Sequence, residues 1–259
     1  MILDQLVDHA YKRTRQAKQK VTLKEIRQQA LMLPKGDFSF EKALKTSELA
    51  FICECKKASP SKGTISFDFP YLEIAKKYEA AGASCISVLT EPKWFLGSNE
   101  YLKEISKAVS LPCLRKDFII DEYMIYEAKI LGASAILLIC SILSEQQIKK
   151  YIGICNQLGM SALVEVHNEA QIQMALNCNA RIIGVNNRNL KDFTVDLNNS
   201  IKLRKLVPDD ILFVAESGIA TVEDIEKLQK VGVDAVLIGE TLMKAENIKM
   251  LLAKLQGVL

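Results

Sequence analysis

The chain has 259 residues, of which 49% are apolar and 25% charged, proportions typical of a globular protein rather than a disordered or fibrous one. It has 34 Lys and Arg residues and 31 Asp and Glu residues, and the resulting net charge of +3 argues against nucleic acid as a partner. Charged residues from Asp4 onward argue against a secretory signal, and the longest apolar runs, such as 133–140, are too short to span a bilayer.

The first 47 residues or so precede any strand pattern and carry two helical patterns. One face of the first pattern is apolar and comprises Ile2, Leu3, Leu6, Val7 and Ala10. A basic stretch follows on this segment and is interpreted mainly as a solvated helix face, with a position near an anionic substrate as the alternative. Its members are Lys12, Arg13, Arg15, Lys18, Lys20, Lys24 and Arg27.

From Ile52 onward, short apolar runs alternate with amphipathic stretches of helical length, a pattern typical of repeated βα units around a parallel sheet. Each run is nearly continuous in apolar residues, as expected for strands buried on both faces. Eight strands are predicted, at residues 50–56, 84–89, 112–115, 134–139, 161–166, 181–185, 211–215 and 234–238.

Helices are predicted between the strands, for example over 70–81 and 221–231. Several end in a glycine just before the next strand, where glycine supplies the left-handed C-cap. These glycines are Gly82, Gly132, Gly159 and Gly232. The even alternation predicts a single (β/α)8 TIM barrel over 48–259 with an N-terminal helical extension over 1–47, all in one domain; a doubly wound open sheet is the alternative.

The seven cysteines are an odd number, and six of them lie in apolar strand or helix patterns. Cys53 and Cys55 are two residues apart on a strand and share one face, so core packing is favoured over a metal site. These features predict reduced cysteines in a cytoplasmic protein.

Charged side chains stand at the predicted carboxyl ends of the strands, where a barrel places its active site. Glu54 and Lys56 follow strand one and share a direction, and Lys116 follows strand three. Glu165 lies between valines in strand five, and a carboxylate in an apolar strand is costly unless it is paired or functional. We therefore expect these side chains to converge on one cavity.

The last three strands predict a binding site for an anion. Strand six ends in GVNNRNL, where Asn186 and Arg188 suit hydroxyl groups and anions. Strand seven ends in AESGI and strand eight in LIGET, and the loops after these strands form the frequent phosphate site of the fold. We expect phosphate contacts there, mainly through main-chain nitrogens, from Ser217, Gly218, Gly239 and Glu240.

Taken together, these motifs resemble the indole-3-glycerol phosphate synthase family. The segments ECKKASPSKG, TEPKWFLGS, LRKDF, LVEVH, GVNNRNL, AESGI and LIGETLM occur in order and span essentially the whole chain. Sister phosphate-binding barrels share the glycine-bearing ends of strands seven and eight. They lack the groups Glu54/Lys56/Ser59 and Lys116/Asp117/Phe118, which makes the combination specific.

The resemblance implies ring closure of 1-(2-carboxyphenylamino)-1-deoxyribulose 5-phosphate, with loss of carbon dioxide and water, to indole-3-glycerol phosphate in tryptophan biosynthesis. It implies Lys116 as the acid at the ketone oxygen and Glu165 as the base. It further implies that Glu54 orients the lysines and stabilises the cationic intermediate, and that Lys56 holds the phosphate or carboxylate and is the candidate second acid. Asn186 is placed near the ribulose hydroxyls.

The same resemblance points to substrate contacts from Ser59 and Arg188 and to an apolar wall for the aromatic ring from Phe95, Phe118 and Leu138. It implies no cofactor and no metal, and the chain carries only two histidines. We expect a small-molecule substrate, no nucleic-acid or membrane partner, and a monomer or weak homo-oligomer. A sugar-phosphate isomerase on the same frame and a non-catalytic phosphate-binding barrel are the alternatives.

Overall fold

A computed structural model describes residues 2–45, 48–189 and 192–258. Within these ranges eight parallel strands close into a barrel, in which each strand pairs with its neighbours in chain order and the first pairs with the last. A short two-stranded hairpin follows the first barrel strand. The strands are β1 (Ala50–Cys55), the hairpin strands β2 (Ala58–Ser59) and β3 (Gly63–Thr64), β4 (Cys85–Leu89), β5 (Cys113–Lys116), β6 (Ala135–Ile139), β7 (Ser161–Val166), β8 (Ile182–Asn186), β9 (Leu212–Glu216) and β10 (Ala235–Ile238).

Helices precede, separate and follow the barrel strands, so the predicted TIM barrel with a helical extension is confirmed. The predicted limit of the extension, residue 47, lies outside the described residues, and the assignment of the whole chain to one domain stays a prediction. The helices are α1 (Ile2–Lys20), α2 (Leu23–Met32), α3 (Ser39–Leu44), α4 (Tyr71–Ala80), α5 (Asn99–Ala108), α6 (Glu122–Ile130), α7 (Glu145–Leu158), α8 (Glu169–Asn177), α9 (Asn198–Arg204), α10 (Val222–Lys230), α11 (Glu240–Met243) and α12 (Ile248–Leu255).

Alternation along the strands divides the core into two layers. Ile52, Leu114 and Leu163 belong to a cluster inside the barrel, whereas Cys53 and Cys55 belong to the larger cluster between strands and helices. Because side chains two apart share a face, the residue two positions after each interior residue also points inward. This alternation points the polar side chains at the strand ends into the mouth of the barrel.

The third helix of the extension, α3, closes the amino-terminal end of the barrel. Phe40 and Leu44 are buried and join the interior cluster. The segment before α3 lies against the end of α7, where a Cβ atom on Gly159 would come within 2.0 Å of the Gly36 oxygen. Gly159 has a φ of +68°, so both its backbone conformation and this close approach require glycine. The sequence patterns indicated two helices in the extension, and α3 was missed because its six residues are too few to show helical periodicity.

Helix α1 packs beside the opposite end of the barrel, with Leu6 and Ala10 buried. Arg13 Nη2 lies 2.8 Å from Asp117 Oδ1, so this member of the basic stretch is anchored next to strand β5 rather than solvated. Lys18 likewise pairs with a carboxylate on the loop after β5. The other five basic residues are exposed, as predicted: Lys12, Arg15, Lys20, Lys24 and Arg27.

The seven cysteines are free and buried, and Cys53 and Cys55 pack among apolar residues as expected. Burial raises the pKa of the Cys113 thiol to about 12, which keeps it protonated and unreactive at neutral pH. Among the described residues, none of the helices combines the length and the apolar character needed to cross a membrane.

Candidate active site

A cavity of about 520 Å³ opens at the carboxyl ends of the strands. Residues from α1, including Leu3 and Leu6, form part of its wall. The cavity collects every residue predicted for the site except one, Leu138. Those that line it are Glu54, Lys56, Ser59, Phe95, Lys116, Phe118, Glu165, Asn186, Arg188, Ser217, Gly218, Gly239 and Glu240.

Lys116 stands at the centre of a buried charge cluster. Its Nζ lies 2.5 Å from Glu216 Oε2 and 3.6 Å from Glu165 Oε2. Both carboxylates are almost fully buried, with exposed fractions of 1% for Glu216 and 3% for Glu165. Each of the three lies two positions after an interior residue on its own strand, namely β5, β7 or β9, so strand alternation points all three into the barrel.

The cluster shifts the pKa values of Lys116 and Glu216. Burial alone would lower the pKa of Lys116, but the carboxylates of Glu216, Glu165 and Glu54 outweigh it and raise that pKa above its ordinary value. Burial raises the pKa of Glu216 to about 7; Lys116 opposes this rise, and the neighbouring carboxylate of Glu165 adds to it. Lys116 is therefore a stable ammonium group, while Glu216 titrates near neutral pH.

Glu54 on β1 and Lys56 just after that strand form a second pair, in agreement with their predicted shared direction. Lys56 Nζ lies 2.7 Å from Glu54 Oε1, and Ser87 Oγ donates to Glu54 Oε2 at 3.3 Å. Burial acts to raise the pKa of Glu54, but Lys56 and Lys116 outweigh it and hold that pKa below its ordinary value. Gly239 makes room for the pair, because a Cβ atom there would lie 2.6 Å from Glu54 Oε1.

Asn186 and Arg188 link the carboxylate cluster to the rim of the cavity. Asn186 Nδ2 donates to Glu165 Oε2 at 3.3 Å, and its Oδ1 accepts from the backbone N–H of Arg188 at 3.0 Å. The Arg188 guanidinium donates to the Phe193 carbonyl oxygen at 3.3 Å and lies 3.8 Å from Glu240 Oε2. The amide thus orients the carboxylate, and the guanidinium faces the last strands.

The loop after β9 is held in an unusual conformation. Ser217 and Gly218 have φ angles of +67° and +79°, and positive φ at a non-glycine residue is often found at functional sites. Asn187, for which the sequence predicted no role, is 4% exposed and supports this loop: its Nδ2 donates to the Ser217 carbonyl oxygen at 3.1 Å. Its Oδ1 accepts from both the backbone N–H and the hydroxyl of Ser200.

Comparison with known proteins agrees with this geometry. The sequence model described as indole-3-glycerol phosphate synthase matches residues 3–255. A relative of that name from Ruminiclostridium cellulolyticum is 55% identical over 258 residues, covering 99% of each chain. Another from Endomicrobium trichonymphae is 55% identical over 249 residues, covering 96% of each chain. The chain belongs to the indole-3-glycerol phosphate synthase family. The family predicted from the motifs is confirmed, and its members are decarboxylating lyases.

Solved structures of other enzymes share the barrel. The 3-hexulose-6-phosphate synthase from Salmonella typhimurium superposes with a TM-score of 0.65 at 15% identity, covering 81% of this chain and 98% of that chain. Thiamine phosphate pyrophosphorylase from Pyrococcus furiosus superposes with a TM-score of 0.61 at 16% identity, covering 85% of this chain and 96% of that chain. At these identities the likeness shows the fold alone.

The apolar wall expected for this family is present, with one correction. The ring centroids of Phe95 and Phe118 lie 6.2 Å apart on one side of the cavity. Leu138 does not line the cavity, because its position in β6 turns it outward into the cluster between strands and helices. Its neighbours Leu137 and Ile139 point inward and line the cavity instead.

The sequence interpretation did not include Glu216 among the candidate site residues of this chain. The motif AESGI was interpreted from its small residues, although its glutamate, like Glu165, belongs to an apolar strand. The same burial argument would have found it. Gly184 on β8 also carries a signal in retrospect, since a Cβ atom there would lie 2.4 Å from Glu216 Oε1.

Proposed function

We propose that the cavity closes the indole ring of 1-(2-carboxyphenylamino)-1-deoxyribulose 5-phosphate, releasing carbon dioxide and water and giving indole-3-glycerol phosphate, a step of tryptophan biosynthesis. Membership of the family supports this reaction. The observation that carries it is the ammonium group of Lys116 between Glu165 and Glu216 at the mouth of the barrel. These three groups provide an acid and a base within reach of one substrate.

Ring closure begins with attack of the aromatic carbon that carries the carboxylate on the ketone carbon. Negative charge develops on the ketone oxygen, and Lys116 donates a proton to it. The raised pKa keeps Lys116 protonated before the reaction, and the buried carboxylates hold its Nζ in place. Loss of carbon dioxide from the attacking carbon then restores the aromatic ring.

Dehydration follows and requires both an acid and a base. We assign the base to Glu165, whose Oε2 is oriented by the Asn186 amide at 3.3 Å. Lys56 is the candidate second acid, because it is partly exposed in the same cavity and paired with Glu54. The Glu54 carboxylate stabilises the cationic intermediate that forms as the hydroxyl group departs.

The two ends of the substrate are proposed to lie on opposite sides of this cluster. The phosphate lies at the main chain of Ser217, Gly218, Gly239 and Glu240, with Arg188 nearby. Ser59, which is 8% exposed in β2, supplies a polar contact. The aromatic ring packs against Phe95 and Phe118, and Leu137 takes the position that had been assigned to Leu138.

A fluorescence assay with the purified protein, the anilino ketose and no added metal tests the proposal. The indole product fluoresces, so we expect a rising signal from the wild type and loss of turnover in Glu165→Gln. Glu169→Gln is the matched control, because Glu169 is 60% exposed and pairs with Lys202 on the outside of the barrel. A wild type that isomerises a sugar phosphate, or that binds product without turnover, would contradict the assigned reaction.

We further propose that the enzyme works in the cytoplasm as a monomer or weak homo-oligomer, with no nucleic-acid or membrane partner. Seven buried free thiols and a net charge of +3 support this assignment. Light scattering after size-exclusion chromatography measures the oligomeric state directly. A stable higher oligomer at micromolar concentration would contradict it.

A further inference from the structure

Glu240 places a carboxylate among cations at the rim of the cavity. Its Oε1 lies 2.7 Å from Lys244 Nζ and 4.0 Å from Lys62 Nζ, and its Oε2 lies 3.8 Å from Arg188 Nη2. The three cations come from three different segments: α11 and its end, the β2–β3 hairpin and the loop after β8. The side chain is only about a quarter exposed, which strengthens these attractions relative to those in water.

This carboxylate stands beside the loop that is proposed to bind the substrate phosphate. Gly239 joins β10 to α11, Glu240 is the first residue of α11, and both line the cavity. Burial acts to raise the pKa of Glu240, but Lys244, Lys62 and Lys56 outweigh it and hold that pKa below its ordinary value. Glu240 is therefore an anion at neutral pH. A phosphate that enters here meets a negative group already engaged with the cations it would use.

Resting on the phosphate site proposed above, we propose that Glu240 is an internal counter-ion that holds Lys62 and Arg188 before the substrate binds and yields them to the substrate phosphate. Lys244 retains the carboxylate when the phosphate binds, because it is the nearest of the three cations. Glu240 thereby lowers the affinity of the site for phosphate groups and favours release of the product. It acts on binding and not on the reacting atoms.

The first test compares wild type with Glu240→Gln, which keeps the shape of the side chain and removes its charge. Calorimetric titration with inorganic phosphate should show Kd lower by about 3- to 10-fold, the size expected for one partly exposed charge contact. KM for the anilino ketose should fall in the same direction, and the gain should shrink at high salt. Glu226→Gln is the matched control, because it removes the same charge from an exposed residue on α10. It should alter Kd less than about 1.5-fold.

A second variant tests the ion pair between Lys244 and Glu240. Lys244→Met frees the carboxylate to compete with phosphate, so Kd should rise in the wild-type background and change much less when Glu240 is already Gln. An unchanged or higher Kd in Glu240→Gln would overturn the proposal, because the carboxylate would then be neutral or would help binding. A wild type that binds no inorganic phosphate would instead overturn the phosphate site itself. A wild type that binds phosphate without turnover would overturn only the proposed reaction.

Discussion

Replacement of Lys116 by Met tests the charge cluster in both catalysis and stability. Loss of the proposed acid should lower turnover by about 10²- to 10⁴-fold. The variant also leaves Glu216, which is 1% exposed, without its nearest cation, and breaking a buried ion pair typically costs about 3–5 kcal/mol. Part of that cost is avoided at pH values at which Glu216 is protonated.

The stability cost should therefore depend on pH, and its sign follows from the pKa of Glu216. Burial raises this pKa from 4.5 to about 7, so the wild type loses stability as pH rises between these values and then levels off. Without Lys116 the pKa rises further, and the loss continues above pH 7 at about 1.4 kcal/mol per pH unit. The deficit in the free energy of unfolding of the variant relative to wild type should therefore be about 2 kcal/mol larger at pH 8.5 than at pH 7.

Urea unfolding at several pH values, together with the fluorescence assay, measures both effects. The double variant Lys116→Met with Glu216→Gln removes the uncompensated carboxylate, so the pH-dependent deficit should disappear while turnover stays lost. A deficit of equal size at every pH would refute the assigned role of Glu216 in the cluster. Recovery of turnover in the double variant would refute the assignment of Lys116 as the acid.

Four further variants address the surroundings of the cluster. Gly184→Ala should lower kcat at least tenfold, because its new Cβ would lie 2.4 Å from Glu216 Oε1 and displace that carboxylate; steady-state kinetics measures this. Asn187→Ala removes the amide that supports the loop after β9 and should raise Kd for inorganic phosphate about 3- to 10-fold by calorimetry, with little change in the aromatic contacts. Leu137→Ala should raise KM, since Leu137 lines the cavity, whereas Leu138→Ala should leave KM unchanged and cost about 2–5 kcal/mol in urea unfolding.

The barrel could be predicted from sequence because its strands are short, apolar and evenly spaced. The predicted strand at 161–166 coincides with β7, and the other barrel strands differ from prediction by one residue at one end or at both. Gly82, Gly132, Gly159 and Gly232 all have positive φ, as the C-cap interpretation requires. In each case a local rule decides the outcome, and the sequence displays that rule directly.

The parts that were missed depend on contacts between distant segments. Nothing local reveals that α3 closes the barrel, because Phe40 becomes buried only against the interior of the strands. The orientation of Leu138 rests on a shift of a single residue, which reverses the face of a strand residue. Asn187 differs from its neighbour Asn186 only in direction, yet it reaches across to Ser200 and the next loop. The phosphate-side role of Glu240 likewise arises from cations on three separate segments.

The distribution of charge across the cavity explains how one site can bind a trianionic substrate and yet stabilise a cation. Three buried carboxyl groups, those of Glu54, Glu165 and Glu216, face the two ammonium groups of Lys56 and Lys116, so the interior has an excess of negative charge when Glu216 is ionised. This interior repels the phosphate and attracts a carbon skeleton that becomes cationic during dehydration. The cations around Glu240 supply the opposite field at the rim. The gradient between interior and rim therefore favours the phosphate at the rim, and the buried carboxylates act on the carbon skeleton once carbon dioxide has left and the cation forms.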